Sequence, residues 1–437
     1  TKGGGVWIGG SHSSHNDDAD SNASGTQWTA YSGKNIEVGD GYSANASAST
    51  VYGTYIPDSI IDTRRTGETG GNLQIYGYST GGSSAVSGGI DIRNTDLYTG
   101  GGSITLEGIT SDSTTPAQAT GVSINGDAVG EETNIISDGG DINIIGSTAA
   151  DSGYSNGAGV WIGTYINTSA TGGVNITSGS GDINIIGSAQ RSAGSDWGHG
   201  LAIVSRDSAD FVHISSTSGN ITLSGTGNTA SDVGNEAVGL VVQVEADTAS
   251  DTFYVKTDSG SITLTGNSGA SNDKDIDLRN GTVGGLTIGD SDTGTVAISG
   301  DQIDFSTSTS NVNINGGALT LAPNSDNFSS TLTLENVTLG SNLGALTIGK
   351  SASNANADVI ISSAATIAGA INIYGANITL NNILRTTTAN SNVNLIASGT
   401  ISGNSSAAIY TGDSDSNNTA DLTGGSVLLA ADSDNSS

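Results

Sequence analysis

Apolar and polar residues alternate in short runs along the chain, and one run recurs: Gly-x-Ile-x-(Leu/Ile)-x-Gly. Copies stand at residues 102–108, 140–146, 181–187, 219–225 and 260–266, with a looser one at 294–300, and the second and third are identical. Strict alternation marks a strand buried on one face. The first apolar position of each copy falls at 104, 142, 183, 221, 262 and 296, in steps of 38, 41, 38, 41 and 34 residues. A period near 40 announces a repeat architecture.

Two further short strands precede this one in each period: 160–162 and 174–176 before Ile183, 201–204 and 211–214 before Ile221, and 240–242 and 253–255 before Ile262. Three strands per period predict three faces. The long third gap carries loops such as 189–196 and 226–236, rich in the Ser, Asp, Asn and Gly that suit solvent-facing connections. After about residue 284 the loops thin and strands crowd together. There the Leu-Thr-Ile and Leu-Thr-Leu segments beginning at Leu286, Leu319 and Leu346 read as one row, with steps of 33 and 27. The chain therefore divides into a decorated stretch, 1–283, and a plainer stretch with shorter coils, 284–437, of one continuous solenoid.

One such strand buries two or three side chains, too few to stand alone. Stacking equivalent strands about 4.8 Å apart pairs every backbone group with the coils on either side and buries each apolar side chain against its copies. The pattern thus predicts an all-β fold, a parallel β-helix (β-solenoid) of three short strands per coil. Roughly a dozen coils would make a rod on the order of 60 Å long. Gly at the corners allows sharp bends, and Asn within strands is placed to form hydrogen-bonded ladders along the axis.

Composition narrows the chemistry. Gly fills 66 positions and Pro only 3, so the glycines punctuate something regular. Charged residues make up 13% against the usual ~25%, with 43 acidic and 12 basic residues giving a net charge of −31. No Lys/Arg cluster exceeds the pair Arg64 and Arg65, which argues against nucleic acid or anionic membrane as partner. The acidic surface either keeps a long protein soluble or binds cations. With no Cys, the fold rests on backbone pairing and stacked apolar side chains. Residues 5–9, Gly-Val-Trp-Ile-Gly, recur at 159–163, so the first residues already belong to the repeat; this reads as a segment of a longer exported protein.

The tandem Gly-Asp-Ile-Asn-Ile-Ile-Gly, Gly-Ser-Ile-Thr-Leu and Gly-Asn-Ile-Thr-Leu units resemble those of filamentous haemagglutinin-like exoproteins, the large Gram-negative adhesins of two-partner secretion. The resemblance covers most of the chain. It implies a right-handed β-helix and export through an outer-membrane transporter to the cell surface or medium. It also implies a role in attachment, aggregation or biofilm matrix, and it carries no catalytic residues. The expected partners are a cell-surface or matrix polysaccharide or receptor, and further copies in a fibre.

Polysaccharide-acting enzymes also use β-helices, so their signatures bear on the alternative reading of a lyase or glycosidase. Asn94-Thr95-Asp96, Asp17-Asp18 and Gly198-His199-Gly200 each match a short motif, but in the wrong order, and paired carboxylates for glycoside cleavage must lie about 5–9.5 Å apart. Asp17 and Asp96 fall several coils apart. The remaining His residues are His12 and His15, beside Asp17 and Asp18, and His213. For ligands the better candidates are alternating aspartates, whose oxygens suit a hard cation such as calcium. These are Asp290 with Asp292, Asp413 with Asp415, Asp273 with Asp275, and Asp432 with Asp434; the competing reading is a solvated turn. Asn-x-Ser/Thr sequons occur at Asn22, Asn45, Asn175, Asn220, Asn336 and Asn377. Trp7 and Trp161 occupy equivalent repeat positions and read as stacked core. Trp28 and Trp197 read as loop residues and as candidate carbohydrate contacts.

Overall fold

The structure is a computed structural model. It describes residues 59–431 except 65–68, 80–85, 111–117, 127–130, 149–155, 164–171, 191–197, 206–210, 228–236, 245–251, 269–273, 282–284, 307, 309, 352–356 and 414–422. Before residue 59 it describes the strands at 6–7, 27–29, 36–38, 43–44 and 50–57. No helix occurs among the described residues, and none is long and apolar enough to cross a membrane.

Each circuit of the chain lays one strand on each of three parallel sheets, so the fold is a parallel β-helix. Sheet I has nine strands, from Val6–Trp7 to Ile303–Asp304, and sheet II has ten, from Gln27–Thr29 to Val337–Leu339. Sheet III has fourteen, from Ile36–Val38 to Val427–Ala430, with Ser43–Ala44 as an extra strand beside Leu73–Ser79. Setting that extra strand aside leaves thirteen coils among the described residues. In the later coils a four-stranded sheet (Leu332–Leu334 to Ile401–Gly403) and a three-stranded sheet (Ala365–Ile367 to Ala408–Thr411) supply the other two faces.

The register equates one sequence period with one coil. Ile104, Ile142, Ile183, Ile221 and Ile262 stack in sheet III, and the row continues through Val296, Leu319, Leu346, Ile371 and Val393 to Val427. Partners in this sheet are 41 residues apart at Asn143 and Asn184 but only 22 apart at Asn372 and Asn394, so the coils do tighten. One expected alignment is corrected. Leu286 belongs to sheet II, paired with Phe253, whereas Leu319 belongs to sheet III, between Val296 and Leu346. Both sheets need an outward Thr between two inward aliphatics, so the same tetrapeptide fits either.

Inward residues of all three sheets form a single core, in which Ile104, Leu106, Val122, Ile124 and Ile135 represent one coil. The Gly that opens most sheet III strands is demanded by the coil beneath. A Cβ on Gly181 would stand 2.1 Å from the Gly140 carbonyl oxygen, and one on Gly140 would stand 2.2 Å from that of Gly102. Just before it, a buried hydroxyl closes the turn from sheet II: Ser178 Oγ donates to the Gly181 carbonyl at 2.5 Å, and Thr257 Oγ1 accepts the Gly260 N–H at 3.0 Å.

Sheet I departs from one-faced burial. Every residue of Gly198–Ser205 and of Leu240–Val244 is buried, and Ala158, Trp161, Ala202, Val204, Val238 and Val241 make a second apolar cluster on the outer side. Trp161 is thus buried, but outside the main core. Trp7 shares its row through Tyr55, Asp91 and Ser123, so the two tryptophans are not a stacked pair.

Candidate functional site

The outer faces of sheets II and III carry ladders of polar side chains. Asn175 Nδ2 donates to Asn134 Oδ1 at 2.9 Å, and Asn134 Nδ2 donates to Asp96 Oδ1 at 2.8 Å. Asn184 and Asn143, and Asn394 and Asn372, do the same on sheet III. These are the ladders expected of in-register Asn, and they satisfy amide groups along the axis.

The early coils of sheet III break the polar habit, as Tyr374 with Ile396 over it does again later. Tyr76 and Tyr78 point outward on either side of Gly77 in Leu73–Ser79, because Leu73, Ile75 and Gly77 take the buried positions of that strand. Glu107 lies directly over Tyr76 and Ile109 over Tyr78 in the next coil; Ile145 then stacks on Glu107, and Ile186 on Ile145. Ile109, Ile145 and Ile186 are 36%, 38% and 42% exposed, while Ser224 and Thr265 take the same row two coils later. Tyr76, Gly77, Tyr78, Glu107 and Ile109 line a shallow depression of ≈ 260 Å³. The arrangement offers two aromatic rings, an aliphatic strip and one carboxylate on a flat, rigid surface.

Sheet II holds a different aromatic group. His213 stacks between Phe211 (centroids 4.5 Å) and Tyr254 (3.9 Å), its Nε2 lies 3.1 Å from Thr252 Oγ1, and Lys256 Nζ sits 4.8 Å from the Tyr254 ring centre. Phe211 in turn covers Gly173, where a Cβ would meet its ring at 2.0 Å. Burial, and then the Lys256 charge, push the His213 pKa down to about 4, so the imidazole is neutral at neutral pH. These rings spend their faces on one another, which is a structural use.

The residues singled out from sequence fare unevenly. Trp28 lies in the strand Gln27–Thr29, paired with the buried Ile61, and not in a loop; a three-residue strand is too short for alternation to reveal. Trp197 lies outside the described residues, as do Asp415, Asp273, Asp432, Asp434, Asp17, Asp18, His12 and His15. Asp290 Oδ1 accepts the N–H groups of Asp292 and Thr293 at 2.9 and 3.0 Å, so it closes a turn, and Asp292 is exposed beside it. Asp413 is buried, ion-paired with Arg385 Nε at 3.0 Å, and Arg385 lies over the Tyr410 ring at 5.1 Å. Asp275 is buried too and accepts Ser268 and Gln302 N–H groups at 2.6 and 3.1 Å. Among the described residues no group of three His, Cys, Asp or Glu is placed to hold a metal.

The two enzyme-like motifs among the described residues do not converge. Asp96 faces out from sheet II within the Asn ladder, whereas His199 is buried in sheet I, its Nδ1 accepting the Val238 N–H at 3.4 Å. The sequons have a structural origin. Asn220 Nδ2 donates to Asp182 and its Oδ1 accepts the Ser261 N–H; Asn377 Nδ2 donates to Asp358 while its Oδ1 accepts Thr400; Asn336 Nδ2 donates to the Ser308 carbonyl. A corner Asn followed by an inward aliphatic and an outward Thr spells a sequon.

The Tyr76–Ile186 strip was missed because the search for carbohydrate contacts followed Trp. Its signal was Tyr-Gly-Tyr at outward strand positions that Ser224 and Thr226 occupy in a later coil. No protein-family model matches the chain, and neither a curated protein nor a solved structure matches it.

Proposed function

We propose that this chain is a segment of an extracellular adhesin or structural fibre of the filamentous haemagglutinin-like kind, exported by a Gram-negative bacterium through an outer-membrane transporter and acting in attachment, aggregation or matrix building. The observation that carries the reading is the unbroken thirteen-strand register of sheet III with an outward aromatic and aliphatic strip on its face. A parallel β-helix of this length is a stiff spacer that needs no ligand to fold, because each coil buries the apolar face of the next. A contact surface on its side is held in fixed geometry. The chain as a whole carries net charge −31, which keeps such rods apart in solution. Of the motifs that would support a polysaccharide lyase or glycosidase, the two among the described residues are split between sheets I and II, which favours binding over cleavage.

The deciding experiment incubates the purified protein with whole cells and with a panel of neutral and acidic polysaccharides, and scores binding, aggregation and cleavage products together. Binding or aggregation without new reducing ends or unsaturated sugars is the expected result. Cleavage lost on replacing outward carboxylates would overturn it.

A further inference from the structure

We propose that the Tyr76–Tyr78 strip of sheet III is a binding site for a neutral polysaccharide chain, with the tyrosine rings stacking on the C–H faces of pyranose units and Glu107 accepting their hydroxyls. The inference rests on the adhesive reading above and deepens it by naming the ligand class and the residues.

The argument starts from what the strip contains. A pyranose ring has an apolar face of axial C–H groups and a polar rim of equatorial hydroxyls, so it is recognised by a flat aromatic surface bordered by hydrogen-bond acceptors. Tyr76 and Tyr78 stand two residues apart on one strand, about 7 Å, and Glu107 sits one coil over Tyr76, beside the ≈ 260 Å³ depression that they line with Gly77 and Ile109. Gly77 adds no side chain between the two rings. Ile145 and Ile186 extend the apolar ground along the axis by two more coils, room for a chain and not only for one unit.

Other occupants fit less well. A second copy of this chain would have to be held by a strip spanning four rungs, on the order of 200 Å² from the strand spacing, against about 800 Å² per partner in a stable interface. It would also bring two bodies of charge −31 together. An acidic glycan needs cations, yet the described Lys and Arg residues are engaged elsewhere. Arg64 pairs with Asp62, Arg93 with Asp91, Lys274 and Arg279 with Asp277, and Arg385 with Asp413; Lys256 lies over Tyr254 on sheet II, and Lys350 binds the Asn324 carbonyl. Glu107, the one carboxylate among the described residues lining the depression, repels carboxylates and sulfates.

The test is affinity electrophoresis of the full chain through gels containing neutral polysaccharides or carboxylated and sulfated ones, repeated with Tyr76→Ala, Tyr78→Ala, the paired Phe variants and Glu107→Gln. Circular dichroism establishes that the variants stay folded, as outward positions allow. The expected result is retardation by at least one neutral glucan, mannan or galactan, weakened tenfold or more by either Ala substitution and largely kept by Phe. Retardation unchanged by the Ala variants would overturn the site while leaving the adhesive reading in place. Retardation by acidic polysaccharides alone, or cell binding with no retardation by any neutral one, would overturn the ligand class, again without touching adhesion. Binding to neither polysaccharides nor cells would overturn both.

Discussion

Asn220 donates its backbone N–H to Asp182 Oδ1 at 2.7 Å, across a gap of 38 residues in sequence and one coil in space. Asp182 itself donates to Asp141 Oδ1 at 3.0 Å, and Ser261 donates to Asn220 Oδ1 at 3.0 Å. At this corner every side chain accepts from the coil that follows it. The ladder therefore has a direction, and it locks the coil register independently of the core.

Replacing Asn220 by Ala removes one acceptor and one donor from that ladder at an exposed position. The expected cost is about 1 kcal/mol, seen as faster amide exchange in the strands on either side, Ile183–Ala189 and Ile262–Asn267, and not in distant coils. Uniform loss of protection along the rod would count against nearest-neighbour stability.

The amides of Asn175, Asn220, Asn336 and Asn377 are hydrogen-bonded in the ladders, so a glycan attached there would sacrifice those bonds. Peptide mapping by mass spectrometry of protein from its native source is expected to find these four asparagines unmodified. Substantial occupancy at Asn220 or Asn377 would refute the structural origin of the sequons.

His213 titrates near 6.5 in the unfolded chain and at about 4 in the folded one. Between those values the unfolded chain binds more protons, so stability falls as pH falls from about 6.5 towards 4 and is fully present above that window. Thermal midpoints measured from pH 7 to pH 4 should drop less for His213→Gln than for the parent. Equal slopes would show that His213 stays hydrated in the fold.

Asp277 is fully buried and receives Lys274 Nζ at 2.8 Å and Arg279 Nη2 at 2.6 Å, while Lys274 also reaches Asp304. Burial works to lower the Lys274 pKa, and the two carboxylates more than reverse it. Removing one partner from a buried pair is costly, so Asp277→Ala should destabilise its coil by about 3 kcal/mol, read as a shift in urea midpoint. An unchanged midpoint would mean that water reaches the pair.

Chelation bears on the aspartates first considered as calcium ligands. Asp290 closes a turn and Asp413 neutralises Arg385, so EDTA is expected to leave the circular dichroism melting curve unchanged. A fall reversed by calcium would place a cation in the loops.

Most of the fold could be read from the chain because the same demand repeats every coil. An inward Ile or Leu must meet its copy, and the Gly before it must clear the carbonyl beneath, so both recur at positions 142 and 140, 183 and 181, 221 and 219. What stayed hidden depends on contacts between different faces. The run Leu201-Ala202-Ile203-Val204 reads as a strand, yet nothing local says that Ala202 and Val204 would be buried on the outer side as well. Leu286 and Leu319 carry near-identical surroundings in different sheets. The Tyr76 strip was legible only as a departure from the Ser224 and Thr265 of later copies, visible once the register fixed which positions are compared.

The thirteen stacked coils have a mechanical consequence. Backbone hydrogen bonds between coils run along the rod, so a pull on its two ends loads them in tension, one coil boundary at a time, and not all at once in shear. Each coil that peels away frees between 22 and 41 residues, as counted between partners in sheet III, or about 70–150 Å of slack at full extension. Single-molecule stretching should therefore give a sawtooth with two step lengths, long from the decorated coils and short from the plain ones. On the adhesive reading proposed above, a rod built this way gives ground in instalments, as a tether that must hold on in flow requires.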